Sequence, residues 1–323
     1  MRKIKMIYRN DKTFKDGFDE FILNCKARNL RDGTIKHYNE AYKQIIKYLD
    51  ESTLLADINP KKFEEFILTV KSKRNINSQT LYTYSRDLKV IINFFIKHGY
   101  TDKFKITLPK VDIHPIQTYS DEELQRLLKK PDMKKCEFTE YRNYVMTAFF
   151  LSTGIRLTSL INIKIKDLRL SDECVDIMHT KNRKALIIPL NRQMIIILKE
   201  YLSYRQYVDR EDYLFCNAYG QQLTKSTITQ ALAVYNKSRG VERTGIHRLR
   251  HTFAKKWVLA GSGIVSLRMI LGHANLEITQ NYINMLVSDL KKDVNDYNIL
   301  QEFNNTFIKL SNKSKGGDYN GKN

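Results

Sequence analysis

Residues 245–282, GIHRLRHTFAKKWVLAGSGIVSLRMILGHANLEITQNY, decide how the rest of the chain is read. Three polar clusters interrupt otherwise helical text. The first is His247, Arg248, Leu249, Arg250 and His251; the second is Leu271, Gly272 and His273; the third is Thr279, Gln280, Asn281 and Tyr282. His247 and Arg250 are three apart and so share a helix face. Gly272 is suited to end a helix, which lets the imidazole of His273 turn back toward that face. Two imidazoles, a guanidinium and a phenol on one side of a basic protein make a phosphate pocket with a nucleophile at its mouth.

The basic character is not local. The 323 residues carry 55 Lys and Arg against 35 Asp and Glu, a formal net charge of +20, and the pI is about 9.6. Residues 1–115 hold 23 basic and 14 acidic side chains, so both halves of the chain share the excess. A polyanionic partner accounts for this, because each phosphate that is neutralised releases counterions. The duller account is charge for solubility. The length suffices for two domains, each burying its own core. Cys25, Cys136, Cys174 and Cys216 are far apart and read as reduced thiols rather than a disulfide framework or zinc ligands. The opening MRKIKMIYRNDK lacks the apolar stretch of a signal peptide, and no run approaches the roughly 18 apolar residues of a membrane span. A cytoplasmic protein with no membrane contact is expected.

After a short basic lead, residues 1–13, the first half reads as four amphipathic helices. Phe14, Phe18, Phe21 and Ile22 mark one over 14–26; Ile35, Tyr38, Tyr42, Ile45, Ile46 and Leu49 mark a second over 34–50, with Thr34 as its N-cap. A third opens at Pro60 and runs to 72, and a fourth runs from Ser78 to about residue 98, stopped by Gly99. Together they predict a compact all-α domain over 14–104. Tyr82, Arg86 and Lys89 lie off the apolar face of the fourth helix and are candidates for contact with the backbone of the polyanion. Residues 105–119 contain two of only five prolines and no helical period, which reads as an extended linker and hinge.

A second domain is expected over 120–300. Ser120 to Glu123 have the acidic first turn of a helix start, residues 138–152 form a helix, and Gly154 breaks its period just before Arg156, ahead of a short helix LTSLINI. Strands are expected around 163–168, 174–179 and 185–189, then helices near 191–207 and 225–238. Residues 286–310 carry a further apolar period, and the last residues of 301–323 have the composition of a disordered tail.

These motifs resemble the tyrosine recombinase (phage integrase) family, in its simple two-domain form without an arm-binding domain. H-x-x-R is present as His247 and Arg250, L-G-H ends in His273, and Tyr282 follows nine residues later. The family's T-G-x-R is Thr153, Gly154, Ile155 and Arg156, and CVDIMHTKNRKALIIPL matches the hairpin that presents a catalytic lysine, here Lys181. The resemblance runs from about residue 14 to 290. It implies a mainly α fold with a small antiparallel β-sheet, made of a helical core-binding domain and a mixed α/β catalytic domain of the DNA breaking-rejoining type. It implies a site-specific recombinase acting on double-stranded DNA as a homo-tetramer on two DNA sites, with accessory DNA-binding proteins as further partners, and a carboxy-terminal helix that docks on a neighbouring protomer. One position departs: the family's acidic residue three places after the T-G-x-R arginine is here Ser159.

The chemistry suits the residues. A phosphodiester resists attack because charge gathers on its non-bridging oxygens, so fixed cations must be in place beforehand. Arg156 and Arg250 suit two such oxygens, because a guanidinium is permanently charged and forked; His273 adds a donor. A tyrosine hydroxyl with a pKa of about 10 needs a base, and His247 can take its proton. By resemblance, Lys181 returns a proton to the leaving 5′ oxygen. A 3′-phosphotyrosyl link at Tyr282 keeps the energy of the cut bond, so no cofactor or metal is called for. His247 and His251 have the i,i+4 spacing of a helical zinc site, but Arg248 stands where a metalloprotease carries Glu, and flanking cations repel a metal. His251 reads as structural. The competing readings are a type IB topoisomerase, which shares the nucleophile, and a non-catalytic DNA-binding protein on the same fold.

Overall fold

A computed structural model describes residues 11–73, 76–111, 117–178, 185–205, 207 and 209–272. The chain divides into two compact units, residues 1–114 and 115–323. Among the described residues no helix is long and apolar enough to cross a membrane.

The first unit holds α1 (Phe14–Ala27), α2 (Asp32–Ile45), α3 (Pro60–Lys73) and α4 (Ser78–Lys97). Thr13 opens α1 with a reciprocal cap: its hydroxyl accepts from the Asp16 amide while the Asp16 carboxylate accepts from the Thr13 amide at 2.9 Å. Phe14, Ile45, Leu55, Val70, Ile91 and Phe95 are fully buried, and the Phe18 and Tyr42 rings stack at 4.1 Å. The aromatic residues that set the helical period therefore form the core.

Two boundaries differ from the sequence reading. The second helix starts at Asp32 after Arg31, not after Thr34, and its α geometry ends at Ile45. Residues 46–49 continue as a turn that still delivers Leu49 to the core, so the apolar period outlasts the helix. The stretch 105–119 is irregular where it is described, but not loose: Ile106 is buried in the first core and Tyr119 in the second.

The second unit is built around α6 (Phe138–Thr153). Every residue from Tyr141 to Phe150 is buried, because α5 (Asp121–Leu127), α8 (Arg192–Tyr204), α9 (Lys225–Ser238) and α10 (Ile246–Leu259) are part of the same unit and three of them pack on α6. A helix covered on all sides has no polar stripe. Its one buried cation, Arg142, donates to the Cys216 carbonyl at 2.8 Å and to the Asn143 side chain. Ser120 caps α5 with Glu123 in the reciprocal arrangement that its acidic first turn foretells.

Strands β1 (Leu168–Arg169), β2 (Cys174–Ile177) and β3 (Leu186–Pro189) form an antiparallel sheet in that order. The expected strand over 163–168 is mostly something else. Ile163 and Ile165 are buried as alternation requires, and their backbones bond to residues 212 and 214, but the Asp167 carboxylate accepts from the Lys164 amide at 2.8 Å and bends the chain into a 3-10 turn over Ile165–Asp167. The helix expected in LTSLINI is the single turn α7 (Leu157–Leu160), and α11 (Ile264–Leu271) follows α10. Lys181, His273, Tyr282, the segment 286–310 and the tail 301–323 lie outside the described residues.

Candidate active site

The site forms where the ends of three helices meet. Gly154 closes α6 in the left-handed region, at φ 60°. A Cβ there would come within 2.4 Å of the Phe253 ring on α10 and 2.7 Å of the Leu271 side chain on α11. Only glycine allows both this backbone and this approach. The reversal turns the Gly154 carbonyl toward α10 and places Arg156, two residues on, at the start of α7.

Arg250, on the inner face of α10, is only 6% exposed. Its guanidinium donates to the Gly154 carbonyl at 2.6 Å and to the Leu271 carbonyl at 2.9 Å. Arg156 donates to the same Leu271 carbonyl at 3.0 Å and reaches the Gly272 carbonyl at 3.5 Å. The exposed carbonyls of a helix end are natural acceptors for such donors. Gly272 ends α11 in the left-handed region at φ 59°, as its place in L-G-H foretells. A Cβ on Gly272 would stand 3.3 Å from the Leu186 side chain. Leu186 pairs with Ile177 at the open end of the β2–β3 ladder, and the Arg156 guanidinium would stand 3.6 Å from the same Cβ, so Leu186 of β3 and Arg156 both come up against Gly272.

His247 is exposed on the first turn of α10, one turn before Arg250. His251, one turn further, is half-buried; burial, with the charges of His247, Arg250 and Arg248 added, pushes its pKa down to about 4. A neutral imidazole packed among cations fits the structural role expected of it. Ser159 is buried within α7. The structure thus brings together Arg156, Arg250 and the turn carrying His247.

On the first unit, Arg86 is exposed and its guanidinium donates to the Asp87 carboxylate at 3.0 Å, while His37 approaches the other oxygen at 3.2 Å. Lys89 donates to the Ile106 carbonyl at 3.1 Å, and Tyr82 is half-buried.

Sequence reasoning passed over Arg248. It sits inside the first polar cluster but one position from His247, off the face shared with Arg250. Its guanidinium donates to the Gln117 carbonyl and lies 5.9 Å from the centre of the Tyr119 ring.

Two arginines joined on one carbonyl, within a helical unit that carries a three-stranded antiparallel sheet, are placed in a class by comparison with known proteins. Residues 117–288 match the Phage integrase family and residues 13–112 the Phage integrase SAM-like domain. The tyrosine recombinase XerC of Thermodesulfovibrio yellowstonii is 28% identical over 288 residues, covering 83% of this chain and 91% of that protein. XerD of Listeria innocua is 26% identical over 287 residues, covering 85% and 95%. In fold, the chain is similar to the Tn1549 transposon integrase in complex with a circular intermediate DNA, with a TM-score of 0.68 at 18% identity over 87% of this chain and 99% of that one. It is also similar to the XerH site-specific recombinase bound to its palindromic difH substrate, with a TM-score of 0.64 at 23% identity over 85% and 82%. The chain belongs to the phage integrase family and is a tyrosine-type site-specific DNA recombinase.

Proposed function

We propose that Tyr282 attacks a DNA phosphodiester held by Arg156 and Arg250. The phenolic oxygen bonds to phosphorus, its proton passes to His247, and the bond from phosphorus to the 5′ oxygen breaks. Lys181 protonates that leaving oxygen, and His273 donates to a non-bridging oxygen. The product is a 3′-phosphotyrosyl link and a free 5′ hydroxyl. The 5′ hydroxyl of a second duplex then attacks the link and reseals the strand. The observation that carries this reading is the convergence of Arg156 and Arg250 on one carbonyl, with the residue before His273 beside it.

The working assembly is a homo-tetramer on two double-stranded DNA sites, with the segment 286–310 docking on a neighbouring protomer and accessory DNA-binding proteins as further partners. The solved relatives bound to DNA and the excess of basic residues in both halves of the chain support DNA as the partner. Tyr82, Arg86 and Lys89 contribute backbone contacts from the first unit, residues 14–104, and the second unit over 120–300 performs the chemistry. The cytoplasm is its compartment. The topoisomerase reading is not favoured by any observation.

The test is incubation with nicked duplexes carrying sites from the protein's genomic surroundings, without magnesium, followed by a denaturing gel. A covalent adduct in the wild type that disappears in Tyr282→Phe is the expected result. An adduct that persists in Tyr282→Phe would overturn the nucleophile, and rejoining without a partner duplex would favour a topoisomerase.

A further inference from the structure

The helix that supplies His247 and Arg250 is fastened to the stretch of chain that enters the second unit. Tyr119 is 3% exposed and bonded at both ends. Its amide donates to the Thr252 hydroxyl on α10 at 3.0 Å, its own hydroxyl donates to the Arg243 carbonyl at 3.3 Å, and that hydroxyl accepts from the Asn236 side chain on α9 at 2.9 Å. Thr252 and Asn236 are themselves buried, at 1% and 3% exposed. Arg248 closes the arrangement from above, with its guanidinium over the Tyr119 ring and one N–H on the Gln117 carbonyl.

Three features make this more than packing. Arg248 lies in the first turn of α10, adjacent to His247, whereas Arg250 lies in the following turn and is held by the Gly154 and Leu271 carbonyls, so any rotation of the first turn shifts His247 against Arg250. The first turn of a helix lacks intrahelical acceptors for its amides and is the part most free to fray. Gly245, which precedes it, has φ 125° and offers no side-chain cap. The turn that carries His247 is therefore without a side-chain cap, and a side chain from within it holds Gln117 and Tyr119 instead.

We infer that Arg248 is a positioning residue for the recombination chemistry, holding the first turn of α10 in register through Gln117 and Tyr119. It does not touch the phosphate. It fixes where His247 stands relative to Arg250, and catalysis is sensitive to displacements of about 1 Å, which can cost on the order of 100-fold in rate. The inference rests on the assignment of His247 and Arg250 to the reacting phosphate.

Single-turnover adduct formation on a nicked duplex at saturating DNA tests it, together with DNA affinity measured across a salt series. Arg248→Ala is expected to slow adduct formation about 10- to 100-fold while affinity and its salt slope stay at wild-type values. Arg248→Lys, which keeps a donor for Gln117 but loses the ring contact, is expected to recover part of the rate. Tyr119→Phe keeps the ring and removes both hydroxyl bonds; it is expected to slow the adduct without changing charge, and its effect combined with Arg248→Ala is expected to be less than additive. If Arg248→Ala does not fold, the Lys and Phe variants carry the test alone.

Unchanged adduct rates in Arg248→Lys and Tyr119→Phe would overturn the inference. So would a loss lying wholly in affinity with a salt slope reduced by about 1, which is the mark of a direct phosphate contact. A wild type that forms no adduct, or one that survives Tyr282→Phe, would instead overturn the underlying assignment.

Discussion

Arg156 and Arg250 donate to one acceptor, the Leu271 carbonyl oxygen, at 3.0 and 2.9 Å. Two permanent cations are thereby held side by side, although they come from different helices and stand 94 positions apart in the sequence. Like charges placed together repel, so the carbonyl dipole between them offsets part of that cost and fixes both orientations. Arg250→Lys keeps the charge but cannot reach Gly154 and Leu271 with a single fork. It is expected to lower the adduct rate by about 10² to 10³ while leaving DNA affinity within a few fold. Arg156→Lys is expected to behave alike, and gel-based single-turnover kinetics beside a binding titration would check both.

Gly154 makes a separate prediction about stability. Replacement by Ala meets both the left-handed backbone and the ring of Phe253, so a loss of about 2 kcal/mol or more is expected. Gly240 shares the positive φ but has nothing within 4 Å, so Gly240→Ala is expected to lose only about 1 kcal/mol. Urea unfolding of the two variants would separate crowding from backbone strain.

His251 gives the fold a pH dependence on the acid side. Its pKa falls from the ordinary 6.5 to about 4 in the folded chain, so the unfolded chain binds the proton more readily. Stability is unaffected above pH 6.5 and declines as pH falls from there toward 4, by on the order of 1–2 kcal/mol after allowance for solvent screening. Thermal melts between pH 7 and 4 are expected to show a shallower decline in His251→Gln than in the wild type.

Arg86 makes a prediction about binding alone. If its guanidinium meets a DNA phosphate, Arg86→Ala is expected to weaken binding similarly across sequences and to reduce the salt slope by about 1. The adduct rate at saturating DNA is expected to stay at the wild-type level. Asp87, which is 2% exposed and accepts from Arg86, holds that guanidinium in place.

Much of this was legible in the residues. Phe14, Phe18 and Phe21 announce α1 because a buried stripe at helical spacing has few other solutions, and Gly154 and Gly272 announce helix ends because of the backbone that each must adopt. What failed was local. The Ile163 and Ile165 alternation looks like a strand, but Asp167 captures the Lys164 amide and turns the chain, a choice that depends on one side-chain bond rather than on period. The start of α2 is hidden in the sequence because Arg31, which makes no side-chain cap, precedes it, while Thr34 has the better capping chemistry. At the site, motif spacing named Arg156 and Arg250 but could not reveal that Leu271 joins them, since the acceptor is a backbone atom carried by every residue. Arg248 escaped for a similar reason: its partners are the Gln117 carbonyl and a ring 129 positions away.

That the acceptors at 154, 271 and 272 belong to the main chain has an evolutionary consequence. A side-chain anchor can be deleted by one codon change; a peptide oxygen cannot. Point mutation at Leu271 can loosen its packing, yet the oxygen remains, and only an insertion, a deletion or a shift of the whole helix end removes it. Exchange of the Leu271 side chain therefore leaves the shared acceptor in place, whereas Gly154 and Gly272, whose left-handed backbones aim these carbonyls, are the positions where one substitution can turn them away.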